Sequence, residues 1–198
     1  MAGEKKVIEE MDSIIHSALT HRKHRNSAFE MLEMGIKMEK LAKEYYLELA
    51  KKVSDKTGNV MFKYLAIEEA GHIKELMNQL DAMKKSRDWI KREKVPAATC
   101  PVAVPEEREI RTMRDIVPKD LRIPKNTNDL EALKMAIDIK KRMIRFYCAA
   151  SESMVGADGK KMLAKLISAE NRHLNDLMVQ YAWLDQAGFW YDASMMTD

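Results

Sequence analysis

The 198-residue chain is predicted to be all-α: a four-helix bundle made of two repeated helical hairpins joined by a long crossover. Three observations predict this. Glu69-x-x-His72 recurs as Glu170-x-x-His173, 101 residues later. Further positions recur at the same offset. All five prolines (96, 101, 105, 118 and 124) fall in one window, which leaves proline-free segments on either side that suit long helices.

The repeat defines the elements in order. Ser27-x-x-Glu30 is a capping-box pattern, and Asn128-x-x-Glu131 is its variant in the second half. Leu32, Met34 and Ile36 match Leu133, Met135 and Ile137; Tyr46 matches Tyr147. Gly58 matches Gly159, each expected in the turn of its hairpin. Met61 and Leu65 match Met162 and Leu166, and Ile73, Leu76 and Met77 match Leu174, Leu177 and Met178. The helices are expected at about 28–53, 59 to around 90, 129–154 and 160–185. Each hairpin alone would expose its apolar stripe, so the two pack together. Residues 1–26 are expected as an N-terminal arm, 27–185 as the bundle and 186–198 as a C-terminal tail. The crossover, about 95–127, is too long for a simple turn, and 106–116 could form a short helix.

Composition narrows the function classes. The chain is 46% hydrophobic and 33% charged, which suits a folded domain. A net charge of +3 argues against nucleic-acid binding, with the basic run His21–Arg25 expected as a solvated segment. His16, His21 and His24 lie outside the repeat and are expected at the surface. No apolar run approaches the length of a membrane span, and the N-terminus shows no signal-peptide pattern. Cys100 and Cys148 make no disulfide framework and are expected as reduced thiols, which points to a cytoplasmic protein; Cys100 is expected as inert, with a reactive thiol as the alternative. With no Cys-x-x-Cys pair there is no rubredoxin-type iron site. The 16 methionines read as adaptable core, and Trp183, Trp190 and Tyr191 as a packed tail or an interface patch.

Residues three apart on a helix share a face, so each Glu-x-x-His pair can reach one metal ion. Glu39, seven residues before Tyr46, points the same way as the tyrosine and supplies a further carboxylate. A Glu from each of two helices with Glu-x-x-His from each of the other two is a di-metal carboxylate arrangement. The set suits iron, with manganese as the second choice. The counterpart of Glu39 is Lys140, which as an ammonium has three donors and no acceptor. Asp138 lies two residues away and faces elsewhere. Glu39, Glu69 and Glu170 against Lys140 leave a formal charge of −2, enough for one divalent ion.

The segments Met38-Glu39-Lys40, Tyr45-Tyr46, Glu68-Glu69-Ala-Gly-His72, Phe146-Tyr147 and Ala169-Glu170-Asn-Arg-His173 resemble the rubrerythrin branch of the ferritin-like family. The resemblance implies a ferritin-like bundle with metal ligands Glu39, Glu69, His72, Glu170 and His173. It places Tyr46 and Tyr147 beside them, hydrogen-bonded to ligand carboxylates. It implies an oxidoreductase acting on peroxide, oxygen or ferrous iron, with electrons from a separate donor. Family members carry Glu where this chain has Lys140, so the site is expected to hold one ion or an asymmetric pair. A non-catalytic iron-binding protein and an interaction module with a relic site are the other readings. A homodimer is compatible with the long crossover.

Overall fold

A computed structural model describes residues 3–20, 28–91, 100 and 128–191 of the chain. Its helices are α1 (Gly3–Thr20), α2 (Ala28–Lys52), α3 (Lys56–Ser86), α4 (Asp129–Ser153) and α5 (Ala157–Ala187). Helices α2 to α5 are the four expected from the repeat, with ends displaced by up to about four residues. Helices α2 and α3 pack as one antiparallel hairpin, α4 and α5 as the other, and α2 also meets α4. The expected helix at 106–116 and the Ser27 cap lie outside the described residues.

Apolar residues at helical spacing form the core. Met31, Leu32, Met38, Ala42, Tyr45 and Leu49 of α2 are buried, as are Leu133, Ala136, Ile139, Met143, Phe146 and Ala150 of α4. Burying a side chain of leucine size stabilises the fold by roughly 1.5–3 kcal/mol. Local signals fix the helix starts. Asn128 and Glu131 close the expected capping box at α4, while Asp55 caps α3 by accepting from the Thr57 amide at 2.6 Å.

Helix α1, within the expected N-terminal arm, packs on the bundle. Met11, Ile14 and Ile15 of α1 are buried, and α1 packs against α4 and α2. Their spacing is that of one helix face. Arg142 of α4 donates to both Asp12 of α1 and Asp138, and Lys37 pairs with Glu10 at 2.6 Å. His16 is half-buried; His21 and His24 lie outside the described residues.

The repeat runs further than the residues that first reveal it. Helix α3 ends on Arg87 and α5 on Gly188, both left-handed, with φ of 58° and 78°. Their amides return to Met83 and Leu184 at 3.0 and 3.1 Å. Three residues on, Gln79 Oε1 accepts from the Ile90 amide at 3.0 Å, and Gln180 Oε1 from the Tyr191 amide at 2.9 Å. The intervening tryptophans cross to the opposite hairpin. A Cβ on Gly58 would meet the Trp190 ring at 2.4 Å, and one on Gly159 would meet Trp89 at 3.0 Å and Met154 at 2.9 Å. The two glycines therefore lie inside the first turns of α3 and α5 rather than in the hairpin turns. Each makes room for an indole.

Asp129 joins this seam. It accepts from the Ser54 and Asp55 amides at 2.9 and 3.2 Å and from Trp190 Nε1 at 2.8 Å. Burial works against its ionisation, but the donors from Ser54, Trp190 and Asp55 outweigh it and hold its pKa below the ordinary value.

Cys100 and Cys148 are joined in a disulfide, contrary to the expectation of reduced thiols. A sequence separation of 48 carries no sign of the pairing, because the crossover path that brings Cys100 to α4 is not encoded in local periodicity. The thiol-based case for a cytoplasmic location falls with it. No described helix is long and apolar enough to cross a membrane.

Gly58→Ala should destabilise the protein by about 1–3 kcal/mol, because the indole cannot yield as a flexible chain would. Urea unfolding should show most of that loss relieved in a Trp190→Leu background. A carboxylate with a lowered folded pKa contributes stability that is present above its unfolded pKa and lost as pH falls through the folded one. Asp129→Asn should therefore lower stability at neutral pH and flatten the loss seen below about pH 4 in pH-dependent unfolding.

Candidate metal centre

Four central helices each send side chains to one buried point: Glu39 from α2, Glu69 and His72 from α3, Lys140 from α4, and Glu170 and His173 from α5. Glu39, Glu69, Lys140 and Glu170 are 0% exposed and His173 is 3% exposed. Three-residue spacing puts each Glu and His on one helix face, and the pairing of hairpins turns the faces together.

One ligand atom from each of Glu39, Glu69, His72 and Glu170 lies within 4.8 Å of the others. His72 Nδ1 is 3.1 Å from Glu69 Oε2, 3.1 Å from Glu170 Oε1 and 3.5 Å from Glu39 Oε2. Glu39 Oε2 and Glu170 Oε1 are buried without a well-directed hydrogen bond. The other Glu39 oxygen, Oε1, accepts from the Tyr147 hydroxyl.

Lys140 fills the opposite half of the cluster. Its Nζ donates to Glu69 Oε1, to Glu170 Oε2 at 2.6 Å and to His173 Nδ1 at 3.2 Å, which uses all three N–H bonds. His173 therefore serves Lys140, with its Nε2 3.6 Å from Glu68 Oε2. Glu69 and Glu170 each present one oxygen towards His72 and one to Lys140. Asp138 stands outside, bonded to Arg142 at 2.9 Å.

The approximate twofold repeat shows what the lysine changes. Tyr147 donates to Glu39 across the bundle, so Tyr46 would donate to a carboxylate at position 140. Among the described residues the Tyr46 hydroxyl instead has no hydrogen-bond partner, and the Lys140 ammonium lies 5.4 Å from the centre of its ring. A cation over an aromatic face is favourable.

Electrostatics follow from the same contacts. Burial, then repulsion from Glu69 and Glu170, pushes the Glu39 carboxyl well above the carboxylate range. Burial opposes ionisation of Glu69, but the Lys140 ammonium and the His72 hydrogen bond override it and hold the carboxyl far below its usual value. For His72, burial is outweighed by hydrogen bonds to Glu170, Glu39 and Glu69, and its pKa is pushed up to about 12. Burial likewise favours neutral Lys140, yet Glu170 and Glu69 keep it charged. Burial and the ammonium hold His173 neutral, as an acceptor from Lys140 must be. Tyr46 and Tyr147 stay protonated, chiefly through burial.

The residues fit one metal ion and not two. Three carboxylates and an imidazole, with Glu39 Oε2, Glu69 Oε2 and Glu170 Oε1 gathered on His72 Nδ1, are a donor set for one divalent ion. Its entry requires His72 to release its Nδ1 proton and Glu39 its carboxyl proton. In the second place the ammonium already occupies the oxygens and imidazole that another ion would use. Of the five ligands expected from the sequence, four converge for a metal and His173 faces Lys140. The signals missed were Glu68, beside His173, and the covalent partner of Cys148.

Fold and site together define a helical bundle protein with a buried carboxylate–imidazole centre. Residues 30–181 match the Rubrerythrin family, and the chain belongs to that family. Among solved structures it is similar to a ferritin-like diiron-carboxylate protein from Thermotoga maritima. That likeness has a TM-score of 0.52 and 22% identity, covers 80% of this chain and 97% of the other, and establishes the ferritin-like fold. No curated protein matches. Family membership and the buried Glu/His cluster together support iron binding.

Removing the ammonium leaves Glu69 and Glu170 buried without their cation. Breaking such a network typically costs about 3–5 kcal/mol. Lys140→Met should lose stability on that scale in chelator-treated protein, measured by urea unfolding, and recover part of it when ferrous iron is added.

Proposed function

We propose that the protein binds a single iron ion through Glu39, Glu69, His72 and Glu170. It acts as a one-iron oxidoreductase of the rubrerythrin family on a small oxidant, peroxide or oxygen, with electrons from a separate donor. The observation that carries this reading is the Lys140 ammonium, fully hydrogen-bonded in one half of the cluster, while Glu39 Oε2 and Glu170 Oε1 face the His72 ring in the other, at 3.5 and 3.1 Å.

Bound iron would supply a redox-active Lewis acid that polarises an oxygen–oxygen bond. The chain's residues do the rest. Glu39, Glu69 and Glu170 hold the ion and offset its charge. Tyr147 orients Glu39 through its hydrogen bond, and Lys140 fixes the two remaining carboxylates from the far side. Lys140 also keeps a positive charge within the cluster, which would favour negative charge developing nearby. The His72 side chain is 12% exposed and is the most accessible ligand, which suits a small oxidant rather than a bulky substrate.

One feature favours a second reading, a non-catalytic iron binder or a relic site: protonated His72 and Lys140 already compensate the carboxylates. Iron counting on anaerobically loaded protein separates these. The one-iron reading expects one ion per wild-type chain and two per Lys140→Glu chain. Two ions in the wild type, or no gain in the variant, would contradict it, and an empty wild type would support the relic. Peroxide turnover with a surrogate donor then distinguishes an enzyme from an iron carrier.

A further inference from the structure

Resting on the reading above, we infer that Cys100 and Cys148 form a redox-active pair that delivers two electrons to the oxidant at the metal centre. They are the only cysteines in the chain, and they are bonded to each other.

The two ends of the disulfide differ. Cys100 is exposed, whereas Cys148 is 0% exposed within α4. An external thiol can approach the Cys100 sulfur, and Cys148 then leaves as the thiolate. The buried end adjoins the site. Cys148 follows Tyr147, whose hydroxyl donates to the ligand Glu39. One peptide bond, one phenol and one hydrogen bond therefore connect the buried sulfur to the ligand set. Along α4, Cys148 lies eight residues beyond Lys140, an axial rise of about 12 Å. Position 47, the counterpart of Cys148 in the first hairpin, is a Leu that is 38% exposed. At this pair of equivalent positions, complete burial is thus found only in the disulfide-bearing half.

The chemistry balances with named reactants. In the oxidising half, both S–H bonds break, the S–S bond forms and the O–O bond of hydrogen peroxide is cleaved. The two sulfurs lose two electrons, the peroxide gains them, and the thiol protons leave in two waters. In the reducing half, an external dithiol attacks Cys100. Its second thiol resolves the mixed disulfide, returning Cys100 and Cys148 to thiols and leaving the donor oxidised. The separate electron donor is on this account a dithiol rather than an iron–sulfur or rubredoxin-type protein.

The test counts thiols and metal together. Wild-type protein is reduced with dithiothreitol, freed of excess reductant and loaded with ferrous iron. Its iron content is measured, and one equivalent of hydrogen peroxide is added. The expected result is two titratable thiols before peroxide and none after it, with disulfide formation slowed about tenfold or more in iron-free protein. Cys100→Ser should bind the same amount of iron and lose repeated peroxide turnover with dithiothreitol. Thiols that remain while loaded protein consumes peroxide would overturn the inference and leave the metal reading standing. So would a disulfide that forms equally fast without iron, or one that dithiothreitol cannot open in the folded protein. Absence of iron before peroxide is added would overturn both.

Discussion

The buried ammonium of Lys140 sets the terms for everything around it. Its charge lies at the centre of the bundle, where an unpaired cation would be untenable, so it must be surrounded by acceptors. Glu69 of α3 and Glu170 and His173 of α5 provide them, so both hairpins contribute. Once those atoms are committed, half of the carboxylate cluster is closed to metal. The other half keeps Glu39, His72 and the second oxygens of the same two glutamates, which face His72. On the reading proposed above, one lysine leaves a single ion position beside one fixed charge.

The surrounding frame keeps the symmetry that the site has lost. Trp89 and Trp190 cross to opposite hairpins and seat on Gly159 and Gly58. Gln79 and Gln180 secure the chain after each helix end. These paired contacts hold the hairpins in a fixed relation, so the side chains at positions 39 and 140 face each other across the bundle. The orphaned Tyr46 hydroxyl is where the frame and the altered site disagree. The backbone still presents a phenol to position 140, and the residue there can no longer accept its proton.

Much of this was legible in the sequence because it depends on periodicity. The shared offset gave four helices and the six residues of the site, including the misfit of Lys140. The spacing of Asn128 and Glu131 gave a cap that forms as expected. What was not legible depends on long-range packing. Gly58 and Gly159 looked like turn residues because glycine often serves turns, yet a tryptophan from the other hairpin explains them. Met11, Ile14 and Ile15 are too few apolar residues to announce a packed helix without the surface they cover. The role of His173 could not be read from its motif, because the motif is intact and only the atom facing it has changed. The Cys100–Cys148 bond depends on the crossover's path, which no local pattern specifies.

The central claim, that an ammonium stands where a second metal ion would otherwise bind, is tested most directly by a crystal structure of the iron-loaded protein with anomalous scattering measured at the iron edge. The account predicts one anomalous peak per chain among Glu39, Glu69, His72 and Glu170, with Lys140 still bonded to Glu69, Glu170 and His173. Two peaks bridged by Glu69 and Glu170, with Lys140 displaced from the cluster, would contradict it.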